Sequence, residues 1–153
     1  MPVLGDLTDE RPDGVHRFML CQMNSVSSEE TRVRKLHELG QLVDKYEVQC
    51  LLLGKLGTNW SAFPSSYNLA SWIRQERACI ATTAHNRQDD TREGVTLGKH
   101  QQGGVGLVAF KELIPYVRKK CHDFRQLGRI ASWLIYANPK HQLRVSLHTE
   151  WGK

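Results

Sequence analysis

The sequence predicts an α/β domain, a mixed β-sheet with flanking helices. Three observations carry that expectation. Between Arg17 and Lys55 a short apolar run, an amphipathic run and a second short apolar run follow one another, the pattern of a strand–helix–strand unit. Residues 103–110, GGVGLVAF, are apolar and opened by glycines. Near the end, RIASWLIYA and QLRVSLH are separated by NPKH, which reads as a β-hairpin with a turn of about four residues.

Residues 1–16 read as a flexible segment, because two prolines, two glycines and four carboxylates within 14 positions resist regular structure. The first strand is expected from Arg17 to about Val26. Ser27 and Glu30 then have the S-x-x-E spacing of a capping box, in which the hydroxyl accepts from a free backbone N–H and the carboxylate reaches back. The helix that follows places Val33, Leu36, Leu39, Val43 and Tyr46 on one stripe and leaves Arg32, Lys35, Glu38 and Asp44 off it. VQCLLLG is apolar throughout, as strands buried on both faces are. A turn-rich loop, GTNWSAFPSSYN, precedes a short helix in LASWIRQERA and a third strand in CIATTAHN. Residues 87–102 are polar and read as an exposed loop before the fourth strand. KELIPYVRKKCHDF reads as partly helical, although Pro115 disfavours helix at the residue before it.

At 153 residues, 40% of them hydrophobic and 24% charged, the composition is that of one ordinary globular domain. No apolar run approaches the roughly 20 residues of a membrane span, and the polar, acidic start lacks a signal-peptide core. The expectation is an intracellular protein with no membrane partner. Asn59-Trp60-Ser61 fits a glycosylation sequon but would stay idle without export. Cys21, Cys50, Cys79 and Cys121 form no CxxC pair and have no histidine at zinc-finger spacing, so reduced thiols and no metal site are expected.

The net charge of +5 and a pI near 9.2 are compatible with a nucleic-acid partner. Arg32, Arg34 and Lys35 on the first helix, with Arg118, Lys119 and Lys120 near a second, are the residues such a partner would meet. The plainer reading is a pair of solvated helix faces. Phosphate loops are excluded by spacing. Gly94 stands one residue too close to Gly98, and His100 follows Lys99 where a hydroxyl is required. Gly54-Lys55 has Gln49 upstream and Leu56 after it. The seven histidines show no HxH or HxxxH pair. His85 and His148 lie near strand ends, where α/β sites gather. His100 reads as an exposed or singly hydrogen-bonded imidazole. No G-x-S-x-G elbow favours a serine triad.

FMLCQMNS, VQCLLLGKLGTNW, ACIATTAHN, HQQGGVGLVAF, LGRIASW and LRVSLH occur in that order from Phe18 to His148. This ordered set resembles the N-terminal half of the endonuclease/exonuclease/phosphatase superfamily, and within it the endonuclease-like domains of non-LTR retrotransposons. The resemblance implies half of a four-layer α/β sandwich over residues 17–153. It implies that Asn24 is a site residue, with Met23 as the neighbouring register. It sets Lys55 where the family has the glutamate that holds Mg2+, and His148 where the family has a tyrosine. Magnesium takes hard oxygen ligands, whereas an ammonium group has no lone pair. The family's remaining aspartates, asparagines and catalytic histidine belong to its C-terminal half. The expectation is therefore a truncated, catalytically inactive phosphodiesterase-like domain with no cofactor of its own. Two alternatives stand beside it: a non-catalytic module binding DNA or RNA through the six basic residues, and a metal-dependent endonuclease completed by a C-terminal half or a partner chain. Self-association through an exposed last strand belongs to the same set of expectations, because half a sandwich leaves an apolar sheet face uncovered.

Overall fold

The structure, a computed structural model, describes residues 16–64, 66–87, 98–121, 129–138 and 141–148. It is α/β, with seven strands in two sheets among the described residues. Strand β1 (Phe18–Gln22) leads into helix α1 (Glu29–Lys45) and then strand β2 (Cys50–Gly54). β1 and β2 are parallel, so the first third of the chain is the βαβ unit its sequence predicts. A 3₁₀ turn (Trp60–Ala62), helix α2 (Leu69–Ile73) and strand β3 (Cys79–Ala84) follow. Strand β4 (Val105–Phe110) inserts between β2 and β3, antiparallel to both. The first sheet thus has the order β1-β2-β4-β3. β2 is central, as its unbroken apolar run requires.

The second sheet is antiparallel: β5 (Val117–Cys121), β6 (Ile130–Asn138) and β7 (His141–His148), in that order. Two expectations are corrected here. Arg118, Lys119 and Lys120 lie on strand β5 rather than on a helix face, and among the described residues of KELIPYVRKKCHDF only Lys111–Tyr116 is helical, as a 3₁₀ segment. Pro115 lies inside that segment; its missing N–H and its effect on the preceding residue keep the helix short. The β6–β7 pairing runs up to Asn138↔His141, so the connection is shorter than the four-residue turn expected.

Two cores result. Leu51, Leu53, Val108 and Phe110 face α1 and α2. Cys50, Leu107 and Ala109 point the other way, onto Ala131, Trp133, Ile135 and Val145 of the second sheet. This alternation is the period of two along a strand. The layers are therefore helix, mixed sheet and antiparallel sheet, and both α1 and α2 lie on the first sheet. The second sheet covers the face of the first that half a sandwich was expected to leave bare. Its own outer face alternates to the Ser132↔Ser146, Leu134↔Arg144 and Tyr136↔Gln142 pairs, which mix hydroxyl, charge and ring. Trp133 Nε1 donates to Thr82 Oγ1 at 2.8 Å and ties the two sheets together.

Helix α1 begins one residue later than the S-x-x-E spacing suggests. Ser28 is the cap, in extended geometry, and its hydroxyl accepts from Thr31 N. Ser27 Oγ instead meets Ser25 Oγ at 2.9 Å. The buried stripe is also rotated. Arg32, Leu39, Gly40 and Val43 are buried, while Val33 is 63% exposed. Among the described residues no helix is long and apolar enough to cross a membrane.

Candidate functional site

Three loops meet at the carboxyl ends of β1 and β2. The loop after β1 is stitched to the loop after β2 by Met23 N to Gly54 O, Ser25 N to Lys55 O and Val26 N to Leu56 O, at 2.8–2.9 Å. The segment before β4 joins from the other side. Leu56 N donates to Gly104 O at 3.2 Å, Gly57 N to Gly103 O at 2.7 Å and Gln101 N to Gly57 O at 3.1 Å. Asn24, Ser25 and Lys55 have φ of 50°, 79° and 51°, a left-handed backbone that costs non-glycine residues of order 1 kcal/mol each. Gly57 has φ of 61°, and a Cβ there would lie 2.8 Å from Ser25 Cα, so only glycine fits between the loops. Strain of this kind gathers where surrounding structure over-determines a site.

Lys35, nearly two turns into α1, points its ammonium into this apex. It donates to the carbonyls of Met23, Asn24 and Ser25. Burial, with Arg34 beside it, holds the Lys35 ammonium below the ordinary lysine range against the pull of Glu38. One predicted nucleic-acid ligand is thus committed to its own backbone.

The other sequence-predicted residues are dispersed. Asn24 and Lys55 are exposed on adjacent strand ends. His148 is exposed at the end of β7, in the other sheet. Among the described residues no hydrogen bond, ion pair or ring contact joins His148 to either. Arg34 is exposed on α1. Arg118, Lys119 and Lys120 are exposed on β5, in the sheet on the opposite side of β1–β4. The six basic residues do not form one surface.

The residues at the strand ends do not fit the Mg2+ that the family resemblance implies. Asn24 offers a neutral amide oxygen, and Lys55 offers a cation. Among the residues lining the depression beside Asn24, Glu38 is the one carboxylate, and Lys35 lines it too. An anionic oxygen cluster of the kind magnesium takes is not assembled from these side chains.

Arg32 is a feature that helical periodicity misses. Its side chain is 4% exposed. The guanidinium carbon lies 3.5 Å from the Trp72 ring centroid, 4.8 Å from that of Tyr67 and 5.5 Å from that of Phe63, all within cation–π range. Nη2 donates to Tyr67 Oη at 3.1 Å, while Nη1 is buried without a partner. Burial pulls the Arg32 guanidinium below its usual range, and the charge and hydrogen bond of its neighbours only partly restore it. Arg32 also forms part of the wall of an open cleft of about 590 Å³, with Ser27, Ser28, Glu29, Phe63, Pro64, Tyr67, Lys99 and His100. His100 Nδ1 lies 3.3 Å from Ser25 Oγ, which makes the cleft continuous with the strand-end apex. The signals in the sequence are the aromatic loop FPSSY and the Gly98-Lys99-His100 run, whose spacing does not make a phosphate loop.

His85, at the end of β3, is buried, with Nε2 2.9 Å from Ser61 Oγ. A Ser–His pair is the minimal geometry of an activated nucleophile. Here Ser61 N also donates to Asn59 Oδ1 at 3.1 Å, so the pair sits within the capping of the 3₁₀ turn.

The chain matches no family model and no curated protein sequence.

Proposed function

We propose that this chain is a phosphodiesterase-like domain that engages nucleic acid without hydrolysing it. The observation that carries the reading is Lys55. It stands at the carboxyl end of the central strand β2, beside the end of β1 that presents Asn24, where the resemblance to the endonuclease/exonuclease/phosphatase superfamily sets a metal-holding glutamate. Hydrolysis of a phosphodiester by this route needs a metal, an activated water and stabilised charge in the transition state. An ammonium at the first of these positions repels the cation and attracts the phosphate. The exposed cations Lys55 and Lys99, close to the same loops, suit a phosphate backbone, and the resemblance to retroelement endonucleases points to DNA or RNA as its source.

A nicking assay on supercoiled DNA with Mg2+ tests the reading. The expected result is no turnover, together with binding to the same DNA that weakens steeply with added salt, as counterion release dictates. Magnesium-dependent nicking that Asn24→Ala abolishes would overturn the non-hydrolytic half. Failure to retain DNA at low salt would overturn the other.

A further inference from the structure

The cleft between the start of α1 and the Phe63–Tyr67 loop has the parts of a nucleotide site. One end is electropositive. α1 is a 17-residue helix whose cap Ser28 accepts from Thr31 N, and the N–H groups of a helix's first turn have no acceptor within the helix. Such free donors and the helix dipole favour an anion. The hydroxyls of Ser27 and Ser28, the ammonium of Lys99 and the imidazole of His100 line the same cleft. Arg32 lines it as well, 96% buried by its 4% exposure, with Nη1 unpartnered. A buried guanidinium with an unused donor is costly unless an acceptor arrives.

The other end is aromatic. The Phe63 and Tyr67 rings stack at 5.8 Å and 17°, and Lys99 Nζ lies 5.8 Å from the Phe63 centroid. Among the described residues one carboxylate, Glu29, also faces the cleft; of these, Arg32 and Lys99 outweigh it by one positive charge. The volume, about 590 Å³, is in the range of small-ligand sites, roughly 300–1,000 Å³. Charge beside a stacking platform is the arrangement with which proteins hold single nucleotides of a strand.

We propose that this cleft binds a nucleotide phosphate, with the phosphate at the N-terminus of α1 and Lys99 and the base against the Phe63–Tyr67 pair. The inference deepens the nucleic-acid reading and rests on it. Its ligand chemistry has two sources, a free nucleoside monophosphate or the phosphorylated end of a nucleic-acid strand.

Trp72 touches this wall, so tryptophan fluorescence reports on it. The test is a titration in metal-free buffer with inorganic phosphate, adenosine, adenosine 5′-monophosphate, and a short single-stranded oligonucleotide with and without a 5′-phosphate. A phosphate-dependent response is expected: the monophosphate should bind at least about tenfold more tightly than adenosine, the worth of one charge-assisted contact. Lys99→Gln, at an exposed position, should weaken it by about the same factor with unchanged circular dichroism, and Phe63→Leu should weaken the monophosphate but not inorganic phosphate. Response to the phosphorylated oligonucleotide alone identifies the strand end as the source; response to both admits the free nucleotide. Equal affinity for adenosine and its monophosphate, or a Lys99→Gln protein that binds like the wild type, would overturn the proposal. A null titration beside salt-dependent DNA retention removes the cleft and leaves the nucleic-acid reading. Nicking activity removes the non-hydrolytic reading and leaves this metal-free measurement intact.

Discussion

Arg32 shows how far one side chain departs from its pattern. On the helical wheel it falls beside the apolar stripe, and Val33 falls on it. In the structure Val33 is 63% exposed and Arg32 is 4% exposed. The cause lies about 30 residues downstream, where Phe63, Tyr67 and Trp72 offer π faces to a flat guanidinium. Periodicity counts arginine as polar and has no access to that box, so the position was not legible locally. Stacking stabilises the buried guanidinium by about 0.5–2 kcal/mol, and the unsatisfied Nη1 costs about 1–3 kcal/mol. The two terms nearly cancel, which leaves side-chain packing to decide the net effect. Arg32→Ala should therefore lose about 2–4 kcal/mol in urea denaturation, the cost of an unfilled buried space. Arg32→Met, which keeps the volume and removes the unmet donor, should stay within about 1 kcal/mol of the wild type. Equal, large losses in both would show that the charge itself holds the box together.

At the scale of elements, α1 is held to the turn after α2 by a bidentate pair. Arg77 Nη1 and Nη2 donate to Asp44 Oδ1 and Oδ2 at 2.6 and 3.0 Å. The hydrogen bond from Arg77 holds the Asp44 carboxyl below the usual carboxylate range against the opposing effect of burial, and the charges of Arg77 and Lys111 add to it. A carboxyl whose folded pKa is depressed contributes stability that is fully present above its unfolded value, about 3.9. That contribution is lost as pH falls through the folded value. Asp44 is 64% exposed, so solvent screening keeps the effect to at most about 1 kcal/mol. Asp44→Asn should lower stability by up to that amount at pH 7, and the gap should close as both proteins are acidified below pH 4. A gap that persists at pH 2 would assign it to packing of the amide rather than to charge. Helices α1 and α2 and the central strands beneath them were legible, because their apolar runs and caps are local. The strand identity of β5 was not. VRKK carries no apolar alternation, and its conformation comes from pairing with β6. Its three cations also suit an edge, where charge discourages further strand pairing.

At the scale of the whole molecule, what the sequence concealed is how distant segments meet. The succession of the strands other than β5 along the chain was readable, and so was the central place of β2. That the last hairpin folds back over the first sheet was not, because the contact is made by Trp133 across dozens of residues. The strand-end residues were legible one by one, whereas the cleft depends on loops brought together by backbone bonds among residues 23–28, 55–60 and 98–104. The seam between the sheets is the place to test whether the layers open together. Trp133 is fully buried, and its indole N–H ends on Thr82 Oγ1 at 2.8 Å. Thr82→Val keeps the shape and removes the acceptor, so a buried donor goes unmet at a cost of about 1–3 kcal/mol. Cys50 lies on the same seam, with 0% exposure, and burial pushes its thiol up to about 12. It is therefore unreactive until water enters. If the two sheets separate only in global unfolding, alkylation of Cys50 should speed up in Thr82→Val by the factor that the stability loss dictates, about tenfold for each 1.4 kcal/mol. Thr82→Ser, which keeps the acceptor, should alkylate close to the wild-type rate. A Cys50 rate that stays at the wild-type value while Thr82→Val loses stability would mean that the seam opens on its own, with the helix–sheet core still folded.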